Sequence, residues 1–315
     1  MHSLCYLKGH KVLVGRSSLY MEHINTTPTF RMFGPEQWGQ VDRFKQFYEG
    51  TFSFPSHIKK AVSGVGGHFE KAGILIELAN NLAPSLENDI KELRQKGVTR
   101  ATNSRQISAV VESVFIELYS SVDCMRTIIS HMYKSTRGMP DSTRKLFQRI
   151  HTDGLGCDFP WELKVAFRNA NWYEELRIIR DELTHSSLGS CQLDSTTKKI
   201  SYYHFGIKRQ NLPLQIENVF ELIESFRVGV NLLLGQVFYF LNSLLKPTPT
   251  PIPCGMFKGR IYMRMLVISE KIDFDSGVCM SRQWFDKEPD YCCPFSANCA
   301  AYNCSISTLS SRLVE

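Results

Sequence analysis

The sequence predicts a mainly α protein, a helical bundle with a small β-hairpin insertion and a small cysteine-rich C-terminal region. Three observations favour this fold class. Apolar residues recur every three or four positions along several long segments, as expected for helices with one buried face. Residues 190–207 break that period with two short runs of strand-forming residues around a polar turn. Six of the ten cysteines lie after residue 253, which sets the end of the chain apart.

The strongest helical pattern lies in residues 105–134, where a polar turn precedes a wide apolar stripe. Further helices are expected at 36–50, 68–97, 140–151, 161–185 and 213–245, the last of them beginning at Pro213. The glycines of residues 63–71 are interpreted as a flexible turn ahead of a helix. A phosphate-binding loop is the less favoured alternative, because the lysine-serine ending of a P-loop is missing. A short strand is expected at residues 11–15.

These segments divide the chain into four regions. Residues 1–99 form an N-terminal helical region of unknown role, and residues 100–246 form the bundle with its hairpin insert. Alternating prolines and threonines predict a stiff extended linker at residues 247–253. Residues 254–315 form the cysteine-rich C-terminal region.

Charge and hydropathy indicate whether the protein could bind nucleic acid, be secreted or cross a membrane. The net charge of +6 permits contact with nucleic acid but does not require it. The first 20 residues contain no apolar run of signal-peptide length, which predicts a cytoplasmic protein. Residues 228–245 carry no charge and just reach the length of a membrane span, but their polar side chains and the acidic turns before them favour a buried helix. We therefore expect no membrane contact.

One short motif carries candidate chemistry. Arg180 and Asp181 lie near the end of the helix predicted at 161–185, and Thr184 and His185 lie at its very end. The spacing alone is not informative, because Arg126 with His131 and Arg144 with His151 form comparable pairs. The context favours the first pair: a polar acid follows the arginine, and the histidine lies where the helix stops, with one long helix still to come.

A helical bundle with an Arg-polar-x-x-x-His motif near the end of its penultimate long helix resembles the HEPN superfamily. The resemblance covers about residues 100–246. It implies a metal-independent endoribonuclease, without cofactors, that acts on RNA as a homodimer. Proteins of this superfamily commonly serve as toxins or defence effectors, so an antitoxin or another partner protein is also implied.

The resemblance implies a role for each residue of the motif. His185 would move a proton to or from the reacting oxygens, because imidazole titrates near neutral pH. Arg180 would clamp the phosphate as negative charge builds up on it. Asp181 and Thr184 would orient this pair by hydrogen bonds. Residues five apart on an ideal helix point about 140° away from each other, so a second copy or an unwound helix end must complete the site.

Two alternatives remain open at this stage. Arg180 and His185 are equally compatible with a solvent-facing cationic helix end that the helix dipole favours. The chain would then be a catalytically inactive helical bundle that binds a partner protein or a nucleotide. In the C-terminal region, a zinc site of Cys279, Cys293, Cys299 and Cys304 is the less favoured interpretation beside unpaired thiols, because no Cys-x-x-Cys pair occurs.

Overall fold

The computed structural model describes residues 29–185, 188–209, 212–269, 271–288 and 292–304. The strand expected at residues 11–15 lies outside these ranges. The helices are α1 (Gln40–Phe47), α2 (Ser56–Leu82), α3 (Leu86–Lys96), α4 (Thr102–Met132), α5 (Thr143–His151), α6 (Trp161–Arg168), α7 (Tyr173–Leu183), α8 (Val219–Ser243), α9 (Arg282–Phe285) and α10 (Ala300–Asn303). The strands are β1 (Phe30–Arg31), β2 (Ser190–Leu193), β3 (Ile200–Arg209), β4 (Leu212–Ile216), β5 (Thr250–Phe257), β6 (Arg260–Leu266) and β7 (Val278–Cys279).

The fold is mixed α/β, although it is rich in helix, so the predicted mainly α class is wrong. Helices make up 56% of the described residues and strands 14%. The strands form two antiparallel sheets, a four-stranded one in the order β1-β5-β6-β7 and a three-stranded one in the order β2-β3-β4. The prediction failed because its fold class counted a single hairpin, while the segments of β4 and β5 were expected to be a helix start and a linker.

The three-stranded sheet contains the predicted hairpin and one further strand. Pro213 does not begin the last long helix but lies in β4, opposite Lys208 of β3. β4 is an edge strand, and an edge strand tolerates a residue that has no amide hydrogen. Asn218 in extended conformation then precedes α8, which begins at Val219.

The segment that was expected to be a linker, residues 247–253, contains the start of β5 in the four-stranded sheet. β5 includes Pro251 and Pro253 and pairs with β6 along its whole length. Residues two apart in a strand direct their backbone groups to the same side, so the two prolines remove donors from one side of β5 only. The other neighbour of β5 is β1, which pairs with Gly255 and Met256 and so does not face the two prolines.

The main hydrophobic core is continuous from Phe44 to Leu241. It therefore joins residues on both sides of the boundary that was expected near residue 100. The most extensive contact between two helices is that of α2 with α4. Val65 accepts a hydrogen bond from Ser121, and His68 further along α2 meets Glu117 earlier on α4, so the two helices run antiparallel. Two smaller clusters lie under the four-stranded sheet, around Phe33 and around Tyr262.

The glycines of residues 63–71 lie within α2, so the flexible turn predicted there is wrong. Glycine is unfavourable within a helix by about 0.5–1 kcal/mol, but contacts between helices outweigh this local preference. A Cβ at Gly64 would lie 2.7 Å from the Sγ atom of Cys124 in α4, so only glycine leaves room for that side chain where it lies. Val65 beside it is fully buried.

The uncharged segment of residues 228–245 is largely contained in α8. One face of the helix is buried, with Val230, Leu234 and Phe238 in the core. Within the described ranges, none of the helices combines the length and the apolar character needed to cross a membrane.

Candidate functional site

α7 positions the predicted motif. Tyr173, Leu176 and Ile179 are buried and fix one face of this helix against the core. The opposite face exposes Glu174, Ile178 and Glu182, whereas Arg177, Arg180 and Asp181 are only partly accessible. The helix ends at Leu183, two residues before the end predicted at His185.

Asp181 binds two arginines of the same helix. Its Oδ2 atom accepts a hydrogen bond of 2.6 Å from Nη1 of Arg177, and its Oδ1 atom accepts one of 3.1 Å from Nη1 of Arg180. The Arg180 guanidinium also lies over the ring of Tyr119 in α4, with 4.6 Å from Cζ to the ring centroid. Its Nε atom is buried and has no hydrogen-bond partner among the described residues. Arg180 is thus held in one place, while 35% of its side chain stays exposed.

Thr184 and His185 form the helix end. The Thr184 hydroxyl donates a hydrogen bond of 2.7 Å to the carbonyl of Asp181, and the His185 amide donates one of 3.1 Å to the carbonyl of Glu182. The His185 side chain is exposed. In the part of the chain that the structure describes, no hydrogen bond or ion pair joins this imidazole to Arg180 or Asp181.

The structure therefore brings three of the four predicted residues together and leaves the fourth apart. Arg180 and Asp181 meet through their side chains, and Thr184 meets Asp181 through its backbone carbonyl. The Thr184 hydroxyl stabilises the helix end through this hydrogen bond and has no contact with the imidazole among the described residues. A single copy of the chain shows no direct contact between the arginine and the histidine.

The helix that carries the motif has four acidic residues and two arginines. Hydrogen bonds from Arg177 hold the pKa of Glu174 below its ordinary value, although burial opposes this, and Arg144 of α5 adds to the lowering. The pKa of Arg177 is raised, chiefly by its hydrogen bond with Glu174. Arg177 is therefore engaged by two acids, whereas Arg180 shares a single acid and is the more available of the two.

The two other arginine-histidine pairs are placed differently. Arg126 is mostly buried, where it bonds to Asp123 and Thr143 and joins α4 to α5. His131 lies against the rings of Phe54 and His57, and burial lowers its pKa. His151 is the last residue of α5 and is exposed. It therefore resembles His185 in its position at a helix end.

A second polar cluster, which was not predicted from the sequence, lies between α2 and α4. Nδ1 of His68 lies 2.6 Å from Oε2 of Glu117, whose other oxygen accepts a hydrogen bond from Lys71. Glu117 is 8% exposed. Cys124 lies about two helical turns further along α4 and opposite Gly64. The available signal was weak: the glycines of residues 63–71 marked a close helix contact, but nothing in the sequence indicated its partner.

The cysteines of the C-terminal region gather around Arg264 of β6. This arginine is 3% exposed and donates hydrogen bonds to two backbone carbonyls and to Sγ of Cys299. Burial raises the pKa of Cys254 in β5, while Arg264 opposes the shift. Cys254, which the predicted set does not include, packs against the hydrophobic cluster that contains Cys293.

These thiols do not give the predicted zinc set structural support. Across the described segments, no three His, Cys, Asp or Glu side chains are arranged to hold a metal ion. The set of Cys279, Cys293, Cys299 and Cys304 stays a prediction.

A long groove follows the outer face of α8. One part has a cavity of about 930 Å³ and includes three exposed apolar side chains, Trp161, Leu232 and Tyr239. The adjoining part, of about 770 Å³, shares Asn231 and Gly235 with it and continues to Arg31 and Lys45. The groove is large enough for a small-molecule ligand.

Family models, curated proteins and solved structures were each compared with the chain, and none of the three comparisons gave a match. The likeness to the HEPN superfamily therefore rests on the motif and the helices alone.

Proposed function

We propose that the protein is a metal-independent endoribonuclease of the HEPN type, with Arg180 and His185 as its catalytic residues. One observation carries the proposal. Asp181 and the ring of Tyr119 hold the Arg180 guanidinium in a partly exposed position, while His185 is exposed at the end of the same helix. A fixed, partly exposed cation and an exposed imidazole are the two kinds of group that phosphoryl transfer on RNA uses.

The reaction follows from these two groups. His185 takes the proton from a ribose 2′-hydroxyl, and the 2′-oxygen attacks the adjacent phosphorus as the bond to the 5′-oxygen breaks. Arg180 stabilises the negative charge on the phosphate oxygens. The 5′-oxygen takes a proton from water as it leaves, and the protonated His185 returns its proton to water, so the products are a 2′,3′-cyclic phosphate and a 5′-hydroxyl. Asp181 is a positioning residue, since its contact is with Arg180 and not with the RNA.

The proposed site is shared by two copies of the chain. Arg180 and His185 are not in contact within one copy, so the arginine of one copy would act with the histidine of the other. A two-fold arrangement creates two such sites. We propose further that this ribonuclease acts in the cytoplasm as a toxin or defence effector and that a partner protein such as an antitoxin controls it.

The experiment compares RNA cleavage by the wild type with cleavage by Arg180→Ala and His185→Ala, in the presence of EDTA. His151→Ala is the matched control, because His151 is also an exposed histidine at a helix end. We expect the first two variants to lose activity at least about a hundredfold, and His151→Ala to keep it. Equal cleavage by all four proteins would show that another site or a contaminant is responsible.

A second candidate is supported by the groove along α8. Its exposed Trp161 and Tyr239 could each stack on a nucleobase, and Arg31 and Lys45 lie at the far end of the same groove. These features suit a catalytically inactive bundle that binds a nucleotide. Quenching of tryptophan fluorescence by a nucleotide in the wild type, but not in Trp161→Ala, together with absent RNA cleavage, would favour this candidate.

A further inference from the structure

The two parts of the groove along α8 form one continuous space. The part of about 930 Å³ and the part of about 770 Å³ share Gly39, Gln40, Asn231 and Gly235 as lining residues. A Cβ at Gly235 would have no atom within 4 Å among the described residues, so bare backbone forms the wall of the groove at this point. An elongated ligand can therefore pass from one part to the other without meeting a side chain at Gly235.

Carboxylates outnumber cations along this groove. The charged side chains that line it are four acids and two bases: Glu36, Asp42, Glu70 and Glu162, with Arg31 and Lys45. Both bases lie in the smaller part, where Arg31 and Glu36 balance each other in an ion pair of 2.7 Å. The larger part has Glu162 and no base in its lining. Each part thus carries one net negative charge, which favours a cationic ligand over an anionic one.

Aromatic and aliphatic side chains complete the lining. In the larger part, Tyr239 is 70% exposed and Trp161 is 63% exposed. The face of an aromatic ring attracts a cation, and the Arg168 guanidinium already lies over the ring of Trp161, with 5.6 Å from Cζ to the centroid. Leu232 adds exposed apolar surface, and Trp38 provides an aromatic ring in the smaller part. The lining therefore suits a ligand that combines cationic groups with an apolar chain.

We propose that the groove binds a linear aliphatic polyamine of the spermidine class. Such a molecule carries ammonium groups at both ends of a methylene chain, and each part of the groove offers a net negative charge and an aromatic ring. The methylene chain passes along the bare backbone at Gly235. A metal ion fits less well, because no three His, Cys, Asp or Glu side chains of the described residues are arranged to hold one. The site is independent of the proposed ribonuclease site, since neither Arg180 nor His185 lines the groove.

Calorimetric titration of the full chain with spermidine at physiological ionic strength tests the proposal. Butylamine, which has a similar chain but a single ammonium group, is the comparison ligand. We expect spermidine to bind at least about tenfold more tightly, because each further ion pair with an exposed carboxylate adds up to about a factor of five. Glu162→Gln should weaken spermidine binding about three- to fivefold. Glu182→Gln, which removes an exposed acid outside the groove, should leave it unchanged.

A pair of glycine substitutions tests whether the two parts act together. Gly235→Leu fills the groove where its two parts meet. Gly73→Leu in α2 is the matched control, because Gly73 also has no atom within 4 Å of its Cβ position among the described residues but does not line the groove. Leucine favours a helix more than glycine does, so both variants should fold. We expect Gly235→Leu to lose spermidine binding and Gly73→Leu to retain it.

Three results would overturn the proposal. They are no binding of spermidine by the wild type, equal affinity for spermidine and butylamine, and unchanged spermidine binding by Gly235→Leu. A nucleotide that binds in place of spermidine would favour the second candidate function instead.

Discussion

Gly64 of α2 lies directly against Cys124 of α4, and a Cβ at Gly64 would come within 2.7 Å of the sulphur atom. This contact explains how a stretch of three glycines can lie within a helix of 27 residues. The local preference against glycine is small beside the burial of Val62 and Val65, which flank it. The same contact provides a prediction with an internal control.

Alanine substitutions at the two glycines should have different effects on stability. Gly67→Ala should stabilise the protein by about 0.5–1 kcal/mol, because alanine favours the helix and its Cβ faces open space. Gly64→Ala should lose this gain or destabilise the protein, because the Cys124 side chain must move. Urea unfolding of the two variants and the wild type measures the difference. Equal stabilisation by both substitutions would contradict the close helix contact.

Asp181→Asn should reduce ribonuclease activity more than stability. The substitution weakens both ion pairs of Asp181 and lets the Arg180 guanidinium move. Arg180 and Asp181 are partly exposed and the mostly buried Arg177 keeps its ion pair with Glu174, so we expect a loss of stability of no more than about 0.5–1 kcal/mol, with a fall in kcat of about tenfold from poorer positioning. Glu224→Gln is the matched control, because it breaks the ion pair with Arg227 on α8, away from the motif. A similar fall in kcat in both variants would mean that Asp181 has no special role.

The Glu117 carboxylate should make stability depend on pH. Burial raises its pKa, but hydrogen bonds with Lys71 and His68 outweigh burial and hold the pKa below the ordinary value of 4.5. A carboxylate with a depressed pKa stabilises the folded state above the unfolded pKa, and this stabilisation is lost as the pH falls through the folded pKa. The free energy of unfolding should therefore fall less steeply for Glu117→Gln than for the wild type between pH 5 and about pH 3. Parallel curves for the two proteins would show that Glu117 contributes nothing to acid sensitivity.

Two inactive variants should complement each other if the ribonuclease site is shared between copies. In a mixed dimer of Arg180→Ala and His185→Ala, one of the two sites keeps both catalytic residues. Random pairing of co-expressed chains should restore about a quarter of the wild-type activity. Cleavage rates of each variant alone and of the co-expressed mixture provide the test. A mixture as inactive as its components would exclude a shared site.

The sequence predicted elements well where apolar periodicity was long and uninterrupted. α4 was expected at 105–134 and spans Thr102–Met132, and the end of α7 lies two residues before the predicted one. Predictions failed where a residue with a strong local preference is governed by distant contacts. Pro213 and Pro251 are tolerated in strands because of which side of each strand is paired, and Gly64 is tolerated in a helix because of Cys124.

In the candidate site, too, local contacts could be predicted from the sequence and distant contacts could not. The sequence placed Arg180 and Asp181 side by side on one helix, and their ion pair follows from that adjacency. The contact of Arg180 with Tyr119 joins residues that are 61 positions apart, so no local sequence pattern predicts it. The pair of His68 and Glu117 was missed for the same reason, because its members lie on different helices.

The chemistry of the cleaved ends tests the central claim most directly. An RNA oligonucleotide and the same oligonucleotide with 2′-deoxy sugars would be incubated with the wild type in EDTA, and the products analysed by mass spectrometry. The account predicts 2′,3′-cyclic phosphate and 5′-hydroxyl ends from the RNA, no cleavage of the deoxy substrate, and no cleavage of either by His185→Ala. Cleavage of the deoxy substrate, or products that carry a 5′-phosphate, would contradict the proposed attack by the 2′-hydroxyl.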